Sequence, residues 1–524
     1  MQEMLTPEQA AQWLRRRVTG ELRTDSRLVQ AGDGFVAWPG AATDARQHVA
    51  TALAQGASAC LVERTGAEAF GFDDERVASY SQLKAASGPI AADYFMRPSE
   101  VLKVVAVTGT NGKTSVSWWL AQALSNLKQV APIPCGLVGT FGIGRPPKPG
   151  GAFEDTPPLA SHLRSTGMTT PDPVLLQRHF QQFVQEGVQA CAIEASSIGI
   201  EERRLDGTRI HTAVFTNLTQ DHLDYHGTMA AYGLAKAKLF AWPGLEAAVI
   251  NMDDVQGAEL AASMGSALPA LWTVSCVGPA RLQARDIHYD AQGLRFTLVE
   301  ALQDDTGGEE SHAMQTRLIG TYNVANVLGV LGAMRSLGVP LAAAVDACHD
   351  LTPVPGRMEC IGGVNQPLAA VDYAHTPDAI GKALEALRPL AAQRGGQLWC
   401  VLGCGGDRDA SKRPLMGAMA ACHADHVVVT SDNPRGEKPE FIISQILLGL
   451  SGHQALTVLP DRAEAIAYAI RAAAPEDVLL IAGKGHEDYQ EVMGTRLPFS
   501  DAVQVRQALA AWTLPTVTQE PPHD

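Results

Sequence analysis

Residues 108–114 read Thr-Gly-Thr-Asn-Gly-Lys-Thr, an order that suits an anion cradle. Gly109 and Gly112 let backbone N–H groups approach phosphate oxygens, and a helix start adds partial positive charge. Lys113 can neutralise terminal phosphates, and Thr114 can offer its hydroxyl to Mg2+. Thr108, Thr110 and Asn111 complete the loop. The spacing, G-x-x-G-K-T, is shorter than the general phosphate-loop pattern, and a glycine turn before a helix is also an ordinary cap, so the flanks decide. Val101 to Val107 reads as a buried parallel strand, and Ser115 to Leu127 reads as a helix. That is the context the mechanism requires.

Other residues have two readings. Glu194 closes a strand-like run and His222 follows another, where a metal near phosphates would need ligands; a carboxylate suits Mg2+, whereas an imidazole nitrogen is unusual. Taken alone, His222 is a hydrogen-bonded surface residue and Lys236 a solvated helix lysine. Asp432-Asn433-Pro434-Arg435 is a turn signal with a solvated charge, unless Arg435 is held as a guanidinium fork for a substrate carboxylate.

The elements that must position these residues indicate an α/β protein. At 524 residues the chain exceeds one core, so about two to four domains are expected. Three are assigned: a small N-terminal α/β domain over 1–100, a central phosphate-loop domain with a parallel sheet over 101–355, and a C-terminal Rossmann-like α/β domain over 356–524. The first carries strands at Gly34 to Ala37 and Ala59 to Val62, with the turn Asp25-Ser26-Arg27 before them and a capped helix over Met1 to Arg15. The second continues through strands Ala190 to Ile193, Ala213 to Phe215 and Ala247 to Asn251, with a Pro/Gly-rich surface insertion at 147–158. Pro353-Val354-Pro355-Gly356 reads as a hinge, after which strands at Leu398 to Leu402, His426 to Thr430 and Val478 to Ala482 each run into a loop dense in glycine and charge. Ligands bind beyond the carboxyl ends of strands in open α/β sheets, so these loops are expected to share one site. The net charge of −15 argues against a general affinity for nucleic acid or anionic membrane. With no secretion signal or spanning run, a cytoplasmic, monomeric protein is expected, its nine cysteines buried or idle.

The sequence resembles the Mur ligase family, through Thr108–Thr114, Glu194-Ala195-Ser196-Ser197, residues 217–226, Tyr322-Asn323-Val324, Gly356-Arg357-Met358-Glu359 and Asp372-Tyr373-Ala374-His375-Thr376-Pro377. It continues through residues 405–409, Asp432–Arg435 and Gly483-Lys484-Gly485-His486-Glu487, in the family's order over nearly the whole chain. The resemblance implies transfer of the γ-phosphoryl of ATP onto a substrate carboxylate and capture of the acyl phosphate by an amine. Because negative charge gathers in one place, catalysis must be mainly positioning and neutralisation. The implied substrates are ATP, UDP-N-acetylmuramoyl-L-alanyl-D-glutamate and meso-diaminopimelate, and the pathway is that of the cell-wall precursor.

Carried over residue by residue, the resemblance makes Thr114, Glu194 and His222 ligands of Mg2+, and Lys236 a carbamate that helps hold a second ion. Such a lysine must be desolvated enough to react, which makes burial the test; Lys238 is expected to be plain surface. Asn323 is assigned to adenine, and Arg357 and Asp372 to the phosphate and ribose side; His375 belongs either to the site or to the turn before Pro377. The uridine sugar is assigned to Thr24, Ser26, Ala41, Ala42 and Thr43, and the muramoyl dipeptide to Thr169, Thr170, Ser196, Glu202 and Arg204. Ile198 and Glu202 depart from the His and Gln expected in close relatives, which alters fine contacts rather than chemistry. Diaminopimelate is assigned to Arg408, Asp432, Asn433, Pro434, Arg435, Gly483 and Glu487, with Arg435 on the distal carboxylate and Glu487 on the distal ammonium. Two rivals remain: a ligase like folylpolyglutamate synthetase, which would lack the N-terminal domain and the Asp-Asn-Pro-Arg loop, and a nucleotide switch that leaves Glu194, His222 and Lys236 without a task.

Overall fold

The structure, a computed structural model, describes residues 1–40, 43–148, 162–265, 269–290, 293–302, 307–363 and 365–513. Two compact units divide it: Met1–Asn217 with Gly233–Val274 and Gly329–Ala347, and Leu218–Tyr232 with Ser275–Leu328 and Cys348–Asp524.

In the first unit an N-terminal parallel sheet runs in the order Gln2–Met4, Val77–Tyr80, Ala59–Glu63, Gly34–Ala37, Leu22–Arg23. The expected helix over Met1 to Arg15 is shorter, Pro7–Arg15, and a strand precedes it. Proline is favoured at a helix's first position and holds the residue before it extended, so Thr6 caps the helix while Gln2–Met4 pairs with the sheet edge. Trp13, Leu14, Leu61 and Ile90 fill one face of this sheet and Phe35, Val49 and Val62 the other.

Further along the same unit, parallel strands lie in the order Ala270–Ser275, Ala247–Asn251, Thr212–Phe215, Lys103–Thr108, Ala190–Glu194, Cys135–Gly139. The central strand starts at Lys103, because Pro98–Glu100 forms a 3-10 turn and leaves Val101 exposed. Its neighbours are Ala190–Glu194 and Thr212–Phe215, so three adjacent carboxyl ends deliver Gly109, Glu194 and Thr216 to one rim. The helix after the loop is Lys113–Ser125, buried through Trp118 and Trp119.

The second unit holds an antiparallel meander, Leu282–Asp290, Gly293–Ala301 and Glu309–Thr316, which the sequence reading did not include. Its main sheet runs Glu359–Gly362, Leu368–Asp372, Val478–Ala482, Leu398–Leu402, His426–Val429, Leu456–Val458, parallel except for the first pair. Side chains alternate across it: Leu398, Cys400 and Leu402 pack with the helices Pro377–Arg394, Lys412–His423 and Pro439–Leu447, while Trp399 and Val401 pack with Arg462–Ala472 and Asp501–Ala510. All nine cysteines are free thiols. Among the described residues no helix is long and apolar enough to cross a membrane.

Candidate active site

The phosphate loop is held mainly by its own backbone. Gly109 sits at φ +146°, where a Cβ would collide with Thr216 Oγ1, and Gly112 at φ +88° caps the helix that follows. Thr110 N donates to Asn217 O at 2.9 Å, Asn111 N donates to Asn217 Oδ1 at 2.9 Å, and Thr216 Oγ1 donates to Asn111 O at 2.6 Å. Thr216 and Asn217 therefore clamp the loop from the next strand. Lys113 Nζ donates to the carbonyls of Gly109 and Thr110, both at 2.8 Å. Lys236, 1% exposed, donates its Nζ to Gly109 O at 2.8 Å, so the lysine read from its surroundings as solvated is buried against the loop. Lys238 is exposed and bonded to Glu201, as expected.

Glu194 is the junction of this half. Its buried carboxylate accepts from Thr114 Oγ1 at 2.9 Å, from Thr140 N at 2.7 Å and from Thr140 Oγ1 at 3.1 Å. On the far side of Glu194, its carbonyl accepts from Thr170 Oγ1 at 2.8 Å; that hydroxyl lies 3.0 Å from Ser196 Oγ, and Arg204 donates to Thr170 O at 3.0 Å. Thr169 Oγ1 is 3.3 Å from Thr140 Oγ1. Thr169, Thr170, Ser196 and Arg204 are thus brought together beside Glu194. Thr140 was missed, since nothing in Gly139-Thr140 marks it locally.

A hydroxyl and a carboxylate at the edge of a phosphate loop are hard oxygen donors that fit Mg2+, which takes few protein ligands and completes its shell with phosphates and water. Among the described residues no group of three or more His, Cys, Asp or Glu could hold a metal unaided.

Of the remaining residues assigned to the uridine sugar and the dipeptide, Thr24, Ser26, Thr43 and Glu202 each have local partners. Thr24 hydrogen-bonds to Asp172, the cap of the helix Pro173–Gln185, and burial raises the Asp172 carboxyl despite that bond. Ser26 opens a 3-10 turn capped by Asp25, Thr43 O accepts from Gly40 N at 2.9 Å, and Glu202 accepts from Lys84 at 2.6 Å. Ala41 and Ala42 lie outside the described residues, as does most of the 147–158 insertion; Pro147 O accepts from Gln122 at 2.7 Å.

His222 falls in the second unit, in the left-handed region at φ +53°, with Nε2 3.5 Å from Asp221. His375 and Lys412 approach the same carboxylate at 3.7 and 3.6 Å. Burial raises the Asp221 carboxyl, but the hydrogen bond from His375 and the charges of His375, His222 and Lys412 outweigh it and hold it well below the usual carboxylate range. His375 therefore joins a polar cluster around Asp221 as well as the turn before Pro377. Asp372 is buried, which raises its carboxyl; Arg357 opposes that rise and lies over the Tyr373 ring at 4.5 Å. Tyr322 is buried within reach of Asp372 and Arg357, and next to it Asn323 donates to Ile319 O at 2.7 Å and accepts from Asn326 at 2.8 Å.

The three glycine-rich loops of the C-terminal sheet do meet. Gly406 N donates to Asn433 O at 2.9 Å, Arg435 donates to Gly406 O at 2.8 Å, and Asn433 Nδ2 donates to Glu487 Oε2 at 2.7 Å. Arg435 adopts φ +50°, fixed by Glu491 O and Met493 N, and Pro434 O lies where a Cβ on residue 406 would stand. A Cβ on Gly483 would meet Asp432 Oδ2 at 2.5 Å, and Arg408 is exposed beside Gly405. Behind them Arg462, 1% exposed, donates to both Asp501 oxygens at 2.7 Å.

Residues 107–334 match the Mur ligase middle domain, and residues 356–485 match the Mur ligase glutamate ligase domain. The chain is 58% identical to the UDP-N-acetylmuramoyl-L-alanyl-D-glutamate--2,6-diaminopimelate ligase of Acidovorax sp. (strain JS42), across 97% of this chain and 98% of that one. It is 46% identical to the protein of the same name from Janthinobacterium sp. (strain Marseille), across 94% of each. A solved UDP-N-acetylmuramoyl-L-alanyl-D-glutamate--2,6-diaminopimelate ligase aligns with TM-score 0.62 and 36% identity, across 94% of both chains. Folylpolyglutamate synthase from Mycobacterium tuberculosis aligns with TM-score 0.56 at 20% identity, across 76% of this chain and 92% of that one, a likeness of fold alone.

Proposed function

The chain belongs to the Mur ligase family, and on that premise we propose that it is an ATP-dependent ligase that joins meso-diaminopimelate to the glutamate carboxylate of UDP-N-acetylmuramoyl-L-alanyl-D-glutamate, a step in peptidoglycan precursor synthesis. The observation that carries the chemistry is the place of Glu194, bonded to the phosphate loop through Thr114 and to the Thr170–Ser196 cluster through its own backbone. One carboxylate thus joins the region fit for ATP to the region fit for the acid that ATP activates.

A carboxylate resists amine attack because it is anionic and has no leaving group. The substrate carboxylate oxygen takes the γ-phosphoryl of ATP, releasing ADP. The amine nitrogen then adds to the acyl carbon, and the tetrahedral adduct expels phosphate and loses a proton to give the amide. Lys113 exchanges the loop carbonyls for phosphate oxygens as ATP binds, while the start of the helix Lys113–Ser125 adds partial positive charge to the cradle. Thr114 and Glu194 would hold Mg2+, which when bound neutralises phosphate charge. His222 is assigned to Mg2+ as well, and the carbamate form of Lys236 would help hold a second ion; Lys236 has the burial that such a carbamate needs. Asn323, Arg357 and Asp372 are assigned to the nucleotide, Thr24, Ser26 and 41–43 to the uridine sugar, and Arg408, Asp432–Arg435, Gly483 and Glu487 to diaminopimelate.

Domains over 1–100, 101–355 and 356–524, a cytoplasmic location and a monomer complete the reading. Supplying ATP, Mg2+ and the UDP-muramoyl dipeptide with diaminopimelate, lysine or glutamate, and measuring phosphate, tests it. Release with diaminopimelate is expected; release with glutamate alone would favour a ligase like folylpolyglutamate synthetase, and release with lysine alone would overturn the amino-acid assignment.

A further inference from the structure

Lys484 is the one member of the Gly483–Glu487 loop with a long cationic side chain, and it is 0% exposed. A buried ammonium is costly unless it is paired and hydrogen-bonded. Here its Nζ donates to Asn433 Oδ1 at 3.0 Å and to Glu487 Oε2 at 3.0 Å, and lies 3.8 Å from Asp432 Oδ1. Glu491 N also donates to Asn433 Oδ1, at 2.9 Å. These two donors fix which end of the Asn433 amide is oxygen, so Nδ2 points at Glu487 Oε2. Lys484 thereby sets the orientation of Asn433 and Glu487 and offsets one of the two negative charges of Asp432 and Glu487. Arg462 behind them is already matched by Asp501. Arg435, at the edge of the loops, supplies the second positive charge, so Asp432, Glu487, Lys484 and Arg435 sum to neutral only while Lys484 is charged.

Resting on the ligase reading above, we infer that Lys484 is a positioning residue that determines amino-acid specificity, its buried ammonium keeping the loops receptive to an amino acid with a second carboxylate and unreceptive to one whose far end is only an ammonium. The two kinds of amino acid differ by one negative charge at that end. Removing one positive charge from the site therefore shifts the preference between them, by roughly tenfold for charges several ångströms apart at an intermediate dielectric.

The experiment compares kcat/KM for diaminopimelate and for lysine in the full-length protein, with its unfolding midpoint and its KM for ATP. Lys484→Met is expected to lower the diaminopimelate-to-lysine ratio about tenfold, chiefly through the amino-acid KM, with KM for ATP unchanged. Lys484→Gln keeps a donor without the charge and is expected to shift the ratio in the same direction. Asp432→Asn, which removes a negative charge with little change of shape, is expected to raise the ratio, and it keeps the idea testable if neither Lys484 variant folds. A ratio unmoved in whichever variants fold, with loss confined to the unfolding midpoint, overturns the inference and leaves Lys484 a purely structural cation. Failure of the unsubstituted protein to use diaminopimelate would instead overturn the reading on which it rests.

Discussion

The phosphate loop of the first unit and the C-terminal sheet's loops of the second are both glycine-rich turns beyond parallel strands, yet they are built differently. In the first, position is fixed largely by backbone: Gly109 and Gly112 at positive φ, N–H groups bonded to Asn217, and lysines that rest on carbonyls. In the second, buried side-chain charge is added to the backbone bonds: Arg462 on Asp501, Arg413 on Glu437, and Lys484 on Glu487. A backbone-made cradle leaves its cations able to change partner when a ligand arrives. A charge-made framework commits its cations to structure, so removing one exposes the cost of the partner left behind.

Lys113→Ala is the largest expected break. Phosphate release should fall by about two to three orders of magnitude, the scale of losing one preorganised group that meets transition-state charge. Urea unfolding should shift by about 1 kcal/mol, the scale of a hydrogen bond to a loop carbonyl. An unchanged rate would mean that this loop does not hold the reacting phosphate. Arg462→Met should do the reverse, destabilising by roughly 3–5 kcal/mol because Asp501, 0% exposed, is left as a buried unpaired charge. Replacing both partners with apolar residues should recover most of that loss. If the single variant unfolds at the unsubstituted protein's urea midpoint, charge is not what holds the second unit's loops.

The same contrast explains what the sequence disclosed. The phosphate loop was legible because its chemistry lies in consecutive residues between a strand and a helix, and the α/β alternation around it carries a strong hydrophobic period. Thr140 was not legible: it reaches Glu194 from 54 positions away, and a lone Gly-Thr has no pattern. Lys484 was visible only as part of a motif, because its burial depends on Asn433, Glu487 and Tyr489 closing over it. The strand Gln2–Met4 was hidden by the helix that follows, its pairing set by an edge at Val77–Tyr80 far along the chain. Burial of Lys236 likewise followed from tertiary contact with Gly109, against a local pattern that suggested solvent.

Acid should affect both units in the same direction through two buried histidines. Burial lowers His179 in the first unit to about 4, helped by Arg178 and Arg164, and lowers His486 in the second to about 3, helped by Arg357 and Lys484. In the unfolded chain both would titrate near 6.5, so between that pH and the folded values the unfolded state binds more protons. Stability should therefore rise with pH across this window and be lost as pH falls. His486→Asn should flatten the slope of unfolding free energy between about pH 6.5 and pH 3; an unaltered slope would mean that this histidine is already charged in the folded protein.

The smallest effect is expected at Lys238, two positions from Lys236. Its ammonium is bonded to Glu201 at 2.7 Å in an exposed pair, and such pairs contribute about 0–1 kcal/mol because water and salt screen them. Lys238→Ala should leave phosphate release within about twofold and stability within about 0.5 kcal/mol, whereas Lys236→Ala removes a buried group that touches the loop. The pair of variants asks whether the first unit's dependence on positive charge belongs to the cradle itself or to a diffuse field around it. A tenfold loss at Lys238 would favour the field, because no bond joins that side chain to the loop among the described contacts and only long-range attraction of phosphate could carry such an effect.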